Sequence, residues 1–360
     1  MNLKSPTSGL LGIALILTTR LLGAQELNLQ VLNDSSYVIK GGLNEHTFNN
    51  RSFGLLGLSY QLSINTSVYG DLQFNRGRDG SEAIGDLQTY SNIDADNFSA
   101  IGELWIQHEL PAHGLRFKLG QVDANNEFAY VDHAVEFINS SMGFSPTVTY
   151  LPTFPEPRLS LNAFWHSDTI GSFGFGAYTN EDRSFEIPFV ISQWKKQWPD
   201  LEVSLGYWSQ KDASKFNDPN DNTAQSLAEK GTAKGLYATL SGNIEQSFFT
   251  SDTTGWFIQL GSSDQSYSEI TKHIGAGLML YGLGKANNDL AGVGLTYIET
   301  SPRLSFEYAD SETAIEVFYK RQLSDKFSLK PDLQIVLNPA SEPNIEDAIV
   351  FTLRAEFAFE

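Results

Sequence analysis

The chain has 360 residues, 43 acidic against 24 basic side chains, a formal net charge of −19 and no cysteine. Zero cysteine excludes a disulfide scaffold, a thiolate metal site and a cysteine nucleophile, and the acidic balance excludes a nucleic-acid partner, which needs a basic face. A hydrophobic content of 41% with 24 Phe, 14 Tyr and 6 Trp excludes general disorder; a mean hydropathy of −0.23 excludes a helical membrane bundle but says nothing against a barrel.

In chain order, residues 1–24 read as a secretory signal peptide. Lys4 gives a positive start, Gly9 to Leu17 a compact apolar run, and Leu22-Gly23-Ala24 a cleavage site before Gln25. The apolar run is too short for the roughly 20 residues that span a bilayer as a helix. Removal of Lys4 and Arg20 with the leader moves the charge from −19 to about −21. Residues 25–360 then form one domain, and no later segment is apolar for long enough to be a transmembrane helix.

That domain is dominated by alternation at period two, the mark of strands with two different faces. In Ser67 to Asn75, Val68, Gly70, Leu72 and Phe74 oppose Tyr69, Asp71, Gln73 and Asn75. In Leu115 to Val122, Leu115, Phe117 and Leu119 oppose Arg116 and Lys118. Phe327 to Leu337 and Phe351 to Phe359 repeat the pattern. Sixteen such segments are expected, near 27–39, 53–62, 65–75, 101–110, 115–122, 159–166, 171–178, 185–194, 201–208, 235–244, 255–262, 274–282, 289–298, 313–322, 327–337 and 348–359. Connections after odd-numbered strands are mostly long, with 179–184 the exception. Those after even-numbered strands are mostly short, with 245–254 the exception.

Tight turns at one end and longer loops at the other are the rhythm of an up-and-down outer-membrane barrel. The fold class expected is therefore all-β, a transmembrane antiparallel barrel of about 16 strands, in the bacterial outer membrane with lipid as a partner. Lipid offers no water to satisfy an edge strand, so such a sheet must close on itself. A soluble sandwich also alternates; the leader, the loop rhythm and the apolar last strand favour the membrane barrel.

The longest connection, 123–158, is rich in aromatic residues and proline. A short helix is expected around Glu127 to Ile138, followed by an extended path set by Pro146, Pro152, Pro155 and Pro157. Phe128, Tyr130, Phe137 and Phe144 would be costly in water, so burial inside the barrel is expected.

Here the chain resembles the carbohydrate-selective porin family, the OprB family. The carrying residues are Gly120-Gln121-Val122-Asp123, then Phe128, then Phe137-Ile138-Asn139-Ser140-Ser141-Met142-Gly143. Glu103-Leu104-Trp105 with Gln107 lies upstream, and Pro331-Asp332-Leu333-Gln334 with Asn338-Pro339 lies near the end. Gly41-Gly42 and Arg354 fit more weakly. Glu360, following Phe359, departs from the terminal aromatic of the pattern. The resemblance implies passive diffusion of mono- or oligosaccharides through a water-filled channel. It also implies that 123–158 is an inward-folded constriction loop, with Asp123, Phe128, Phe137, Asn139, Ser140 and Ser141 its marked residues. A general or ion-preferring porin is the alternative reading, an outer-membrane enzyme or adhesin a more distant one, and a homo-oligomer is left open.

Selectivity in a passive pore comes from its width and lining, and parity assigns the lining. The basic set is Arg116, Lys118, Arg158, Lys320, Lys330 and Arg354. The acidic set is Asp71, Glu103, Glu109, Glu316, Asp332 and Glu356, and the aromatic set Tyr69, Trp105, Phe164 and Trp208. Arg116, Lys118 and Trp105 stand out because their strands abut the long loop. The acidic excess itself is assigned to outer loops, as at Asp79 to Asp96 and Asp310 to Glu312. No catalytic motif, metal site or cofactor is expected. His108-Glu109 with His113 has the wrong spacing for a zinc helix and Pro111 breaks it. Asp218, Asn220, Asn222 and Glu229 match part of a calcium-loop pattern, but Thr223 replaces its required glycine.

Overall fold

The computed structural model describes residues 26–180, 182–216, 229–244, 251–284, 288–303 and 310–359. The expected leader and the first three positions of the calcium-like fragment lie outside those residues. Glu229 is described, and it pairs with Lys215 at 2.5 Å.

Sixteen antiparallel strands form one closed barrel. They are β1 (Glu26–Gly42), β2 (Phe48–Ser63), β3 (Thr66–Gly77), β4 (Phe98–Leu110), β5 (Leu115–Val122), β6 (Arg158–Ser167), β7 (Gly171–Tyr178) and β8 (Phe189–Trp198). The series continues with β9 (Leu201–Ser214), β10 (Lys230–Ile244), β11 (Thr253–Ser263), β12 (Ile270–Leu283), β13 (Asp289–Thr300), β14 (Ser311–Ser324), β15 (Phe327–Leu337) and β16 (Glu346–Phe359). Each strand pairs with its sequence neighbours, and β1 closes on β16 from Leu29↔Phe359 to Gly42↔Glu346. Closure leaves no edge, which lipid demands.

Alternation sets the two faces. Outward rows carry exposed apolar side chains: Leu72, Phe117, Leu119, Leu161, Phe175, Leu205, Leu236, Leu278 and Phe351. Their strand neighbours point inward and are largely polar: Asp34, Asp71, Lys118, Gln259, Glu316, Lys330 and Arg354 are all buried. A soluble barrel would reverse this arrangement.

One strand is displaced from expectation. The eighth was placed at 185–194, but β8 runs Phe189–Trp198. Pro188 has no N–H to donate, so the ladder starts just after it. The shift lengthens the preceding connection and reduces the next to Pro199-Asp200, which restores the long/short rhythm that 179–184 seemed to break.

Among the described residues two connections fold into the barrel, not one. The segment 123–157 does so as expected, but without the helix expected near Glu127 to Ile138. That stretch holds a single 3-10 turn at Asp132–Ala134 and a left-handed Ala129. Its polar backbone groups bond to the wall instead, which overrides helix propensity. The second is 78–97, assigned above to the outer loops. Its Asp94 pairs with Arg51 at 2.7 Å, Ser91 donates to Asp34 at 2.7 Å, and Leu87 and Gln88 donate backbone N–H groups to Glu312 at 2.9 and 3.0 Å. The short helix Ser81–Ile84 buries Ala83 and Ile84 with Val38, Ala314, Val336, Ala348 and Val350.

Close approach at β5 depends on one glycine. Gly120 has φ +138, and a Cβ there would run into the Leu104 carbonyl oxygen and the Trp105 Cα. A left-handed or strained position costs a side chain about 1–3 kcal/mol before any clash. Gly120→Val is therefore expected to lower the folded fraction, read as loss of the heat-modifiable band on a semi-native gel.

Candidate functional site

Pairing register brings the inward side chains of β3 to β6 side by side. Tyr69 pairs with Trp105, Gln107 with Lys118, and Glu109 with Arg116, which in turn pairs with Phe164. The Tyr69 and Trp105 rings stack at 5.4 Å. Lys118 Nζ lies 3.9 Å above the Trp105 ring, and the Arg116 guanidinium lies 3.8 Å above Phe164. Such contacts hold a cation on an aromatic face and fix its direction. Phe164 stacks in turn on Phe128 of the inward loop at 5.5 Å. Gly174 and Gly176 on β7 leave room for the Phe128 ring.

A carboxylate from the loop locks this ladder. Glu127 accepts from Arg116 Nη1 and Nη2 at 3.2 and 2.7 Å and forms an ion pair with Lys118. Gln107 Oε1 accepts from Arg116 at 3.0 Å. Burial alone would raise the Glu127 pKa. The hydrogen bond from Arg116 and the charges of Lys118 and Arg116 outweigh it and hold the carboxyl below its ordinary value.

The opposite wall carries a matching clamp. Glu136, also from the loop, accepts from Lys320 at 2.9 Å and pairs with Lys330 at 2.8 Å. Glu356 bridges the same two lysines at 2.7 and 2.8 Å. For Glu136, too, burial raises the pKa but Lys330 and Lys320 more than reverse it. Phe137 then plugs between Phe257 and Phe318, edge-on at 5.6 and 5.1 Å.

The marked residues of the loop act as its joints. Asp123 accepts backbone N–H bonds from Asn125 at 2.8 Å and Phe154 at 3.0 Å, clipping the start of the loop to its end. Asn139 caps the short helix Ser140–Gly143, accepting from Ser141 N at 3.0 Å. Its amide donates to Gln334 at 3.1 Å, so the Asn-Ser-Ser and Pro-Asp-Leu-Gln motifs touch. Ser140 N donates to Thr89 O at 3.0 Å, which joins the two inward loops. Glu316 takes the backbone N–H groups of Ile138 and Asn139 at 2.7 and 3.0 Å.

Not every side chain assigned to the lining faces open space. Trp208 is on the inner face but fully buried against Phe189 and Tyr150. Glu316 and Asp332 are covered by the loop. Arg354 is only 3% exposed and is fixed to Asp34 at 2.7 Å and Asn92 at 2.8 Å. Asp71 accepts from Glu103 N at 3.1 Å, holding the β4 backbone, and Glu103 in turn seats the loop, accepting from Asp123 N at 2.9 Å and Asn126 at 3.1 Å. Lys118 is 7% exposed, whereas the Arg116 side chain keeps 31%. Arg158 lies apart from the ladder and lines a separate cavity with Tyr150 and Lys211. Arg116, Glu109, Glu127, Phe164 and Lys195 share a cavity of about 480 Å³. Glu127 and Glu136 were missed by parity because they lie on a loop, where no alternation exists. Tyr130, expected above to bury with Phe128 and Phe137, is instead exposed, as are Asp132 and Val135 on the same loop.

The sequence matches the carbohydrate-selective porin, OprB family, over residues 54–359. The chain belongs to that family. It is an outer-membrane porin. No curated protein matches the sequence. Among solved structures it is similar to Pseudomonas putida OprB at high pH, with a TM-score of 0.81 at 15% identity over 94% of each chain. It is similar to Salmonella typhi OmpF in complex with daunomycin, with a TM-score of 0.61 at 10% identity over 93% of this chain and 97% of that one. Vibrio cholerae OmpT in its trimer form gives 0.57 at 12% identity, over 93% and 98%. At these identities the structures establish the shared fold.

The two clamps make the porin's loop position pH-dependent with a definite sign. Both carboxyls have folded pKa values below 4.5. Their anchoring is therefore present above about pH 4.5 and lost as pH falls through the depressed folded values. As pH falls below about 4.5 and these two clamps release, single-channel conductance is expected to become larger and noisier. Glu127→Gln with Glu136→Gln should show that noisy state at neutral pH.

Proposed function

We propose that this porin passes mono- or oligosaccharides, by passive diffusion past the ladder on β3 to β6 and the loop 123–157, which acts as the constriction. The observation that carries this reading is the stack of Arg116 on Phe164 opening into the 480 Å³ cavity. A sugar presents hydroxyls at its rim and C–H groups on its faces. The cavity offers a fixed guanidinium, the carboxylates of Glu109 and Glu127, the amides of Asn126 and Gln193, and an aromatic edge. Its size falls within the roughly 300–1,000 Å³ of small-molecule sites.

The charge arrangement supports a neutral solute. Arg116 and Lys118 are offset by Glu127 together with Glu109, the register partner of Arg116, Lys195 by Glu202 at 2.7 Å, and Lys320 and Lys330 by Glu136 and Glu356. A lining of paired charges keeps local hydrogen-bonding groups while it weakens any net ion preference. The family description supports the same reading.

Sugar-dependent block of ion current in planar bilayers, with liposome swelling by sugars of graded size, tests this. Wild type is expected to show saturable block by at least one sugar class. Arg116→Ala and Trp105→Ala should each weaken it, by about tenfold, or 1.4 kcal/mol. Swelling without saturable block would instead mark a general porin, and unchanged block in both variants would remove these residues from the path.

A further inference from the structure

We propose that the outer wall over β11 to β13 is a binding site for a phosphorylated glycolipid of the outer leaflet. The observation is a polar cavity standing over an apolar one on the same three strands. The apolar cavity, of about 560 Å³, lies between Trp256, Ile258, Ala276, Leu278, Val293 and Leu295. The polar cavity, of about 760 Å³, is lined by Ser262, Asp264, Lys272, Glu299 and Asp310, with Tyr297 at its lower edge.

Strand register sets this order. Lys272 pairs with Ser262 on one side and Glu299 on the other, Ile274 with Leu260 and Tyr297, and Ala276 with Ile258 and Leu295. These side chains point outward, because their strand neighbours Gln259, His273, Thr296 and Ile298 are buried inside. Lys272 and Ala276 are therefore roughly 13 Å apart along β12. Ala276 is the small residue of a row that runs Leu240, Ile258, Ala276, Leu295 and Ile315, and it leaves the hollow between Ile258 and Leu295 open. The polar cavity lies where β11 and β13 run into the connections 264–269 and 301–310, the same end at which β5 enters the loop 123–157. Long connections mark the extracellular end.

An occupant of both cavities must be polar at one end and apolar at the other, and must run from the membrane interface into hydrocarbon. A lipid has that form. Charge then selects its head. Lys272 pairs with Glu299 at 2.7 Å, and both side chains are partly exposed. An exposed pair contributes little, so a phosphate can take Lys272 and leave Glu299 to accept a hydroxyl. Asp264, Glu299 and Asp310 only accept hydrogen bonds when ionised. They favour a head rich in hydroxyl donors, as sugars are, and oppose a phosphate with few hydroxyls. Tyr297 stands at the step between the cavities, the level at which aromatic rings with a polar tip collect. The site is independent of the solute that the porin carries.

Protein extracted in mild detergent, stripped of lipid and titrated with purified lipopolysaccharide is followed by native mass spectrometry. Wild type is expected to form a lipopolysaccharide adduct and to take up phosphatidylglycerol far less. Lys272→Ala and Ala276→Trp, each checked for folding by heat-modifiability, should weaken the adduct by about tenfold, the scale of one charge-assisted contact. Lys40→Ala, at an exposed cation on β1, and Leu119→Trp, at an outward side chain on β5, should leave it unchanged. Equal uptake of both lipids, an unchanged adduct in either folded variant, or equal loss in the controls overturns the proposal. So does a wild type that binds no lipopolysaccharide.

Discussion

The interior of this porin depends on two loop carboxylates. Glu127 and Glu136 lie on one inward segment and each grips a pair of wall cations, Arg116 with Lys118 on one side and Lys320 with Lys330 on the other. A buried pair built this way has little use as a stabiliser alone, since desolvation offsets much of the attraction. Its value is positional. The charges fix where the loop crosses, and Phe128 and Phe137 then fill the seats between wall and loop.

Closure of the sheet makes that arrangement possible. With β1 paired to β16, the wall has no open edge, and the inward side chains are free to serve the loops. The loops have no ladder of their own and must find acceptors elsewhere. They find them on residues distant in sequence: Ile138 and Asn139 on Glu316, Leu87 and Gln88 on Glu312, Ser140 on Thr89. The two inward loops thus brace each other as well as the wall.

The barrel was legible from alternation because a lipid-facing wall forces period two on every strand. Three strands, β5, β7 and β15, fall where the pattern places them. The eighth slipped because a proline outweighed the apolar pattern at its start. The ladder Trp105, Lys118, Arg116 and Phe164 was legible for the same reason as the strands. The inward course of 78–97 was not. Its Asp79, Glu82, Asp86 and Asp94 look like a solvated acidic loop, and its partners Arg51, Asp34, Arg354 and Glu312 lie on four separate strands. Nothing local marks a loop whose acceptors and donors are supplied from across a barrel.

The acidic excess acquires a physical role from these contacts. Many of the carboxylates are neither facing the extracellular medium nor lining open water. Asp123, Glu103, Glu312 and Glu316 each accept backbone N–H groups of an inward loop, and Asp94 takes Gly80 N at 3.0 Å as well as Arg51. A carboxylate offers about four acceptor sites and no donor, which suits a segment with several unpaired donors in a row. Negative charge used in this way is held by dipoles and by paired cations, so it contributes little field to the lumen. The net charge of −19 is therefore no measure of cation preference. Selectivity is set by the few side chains that keep exposed surface on the cavity, Arg116 foremost, and by how firmly Glu127 restrains them.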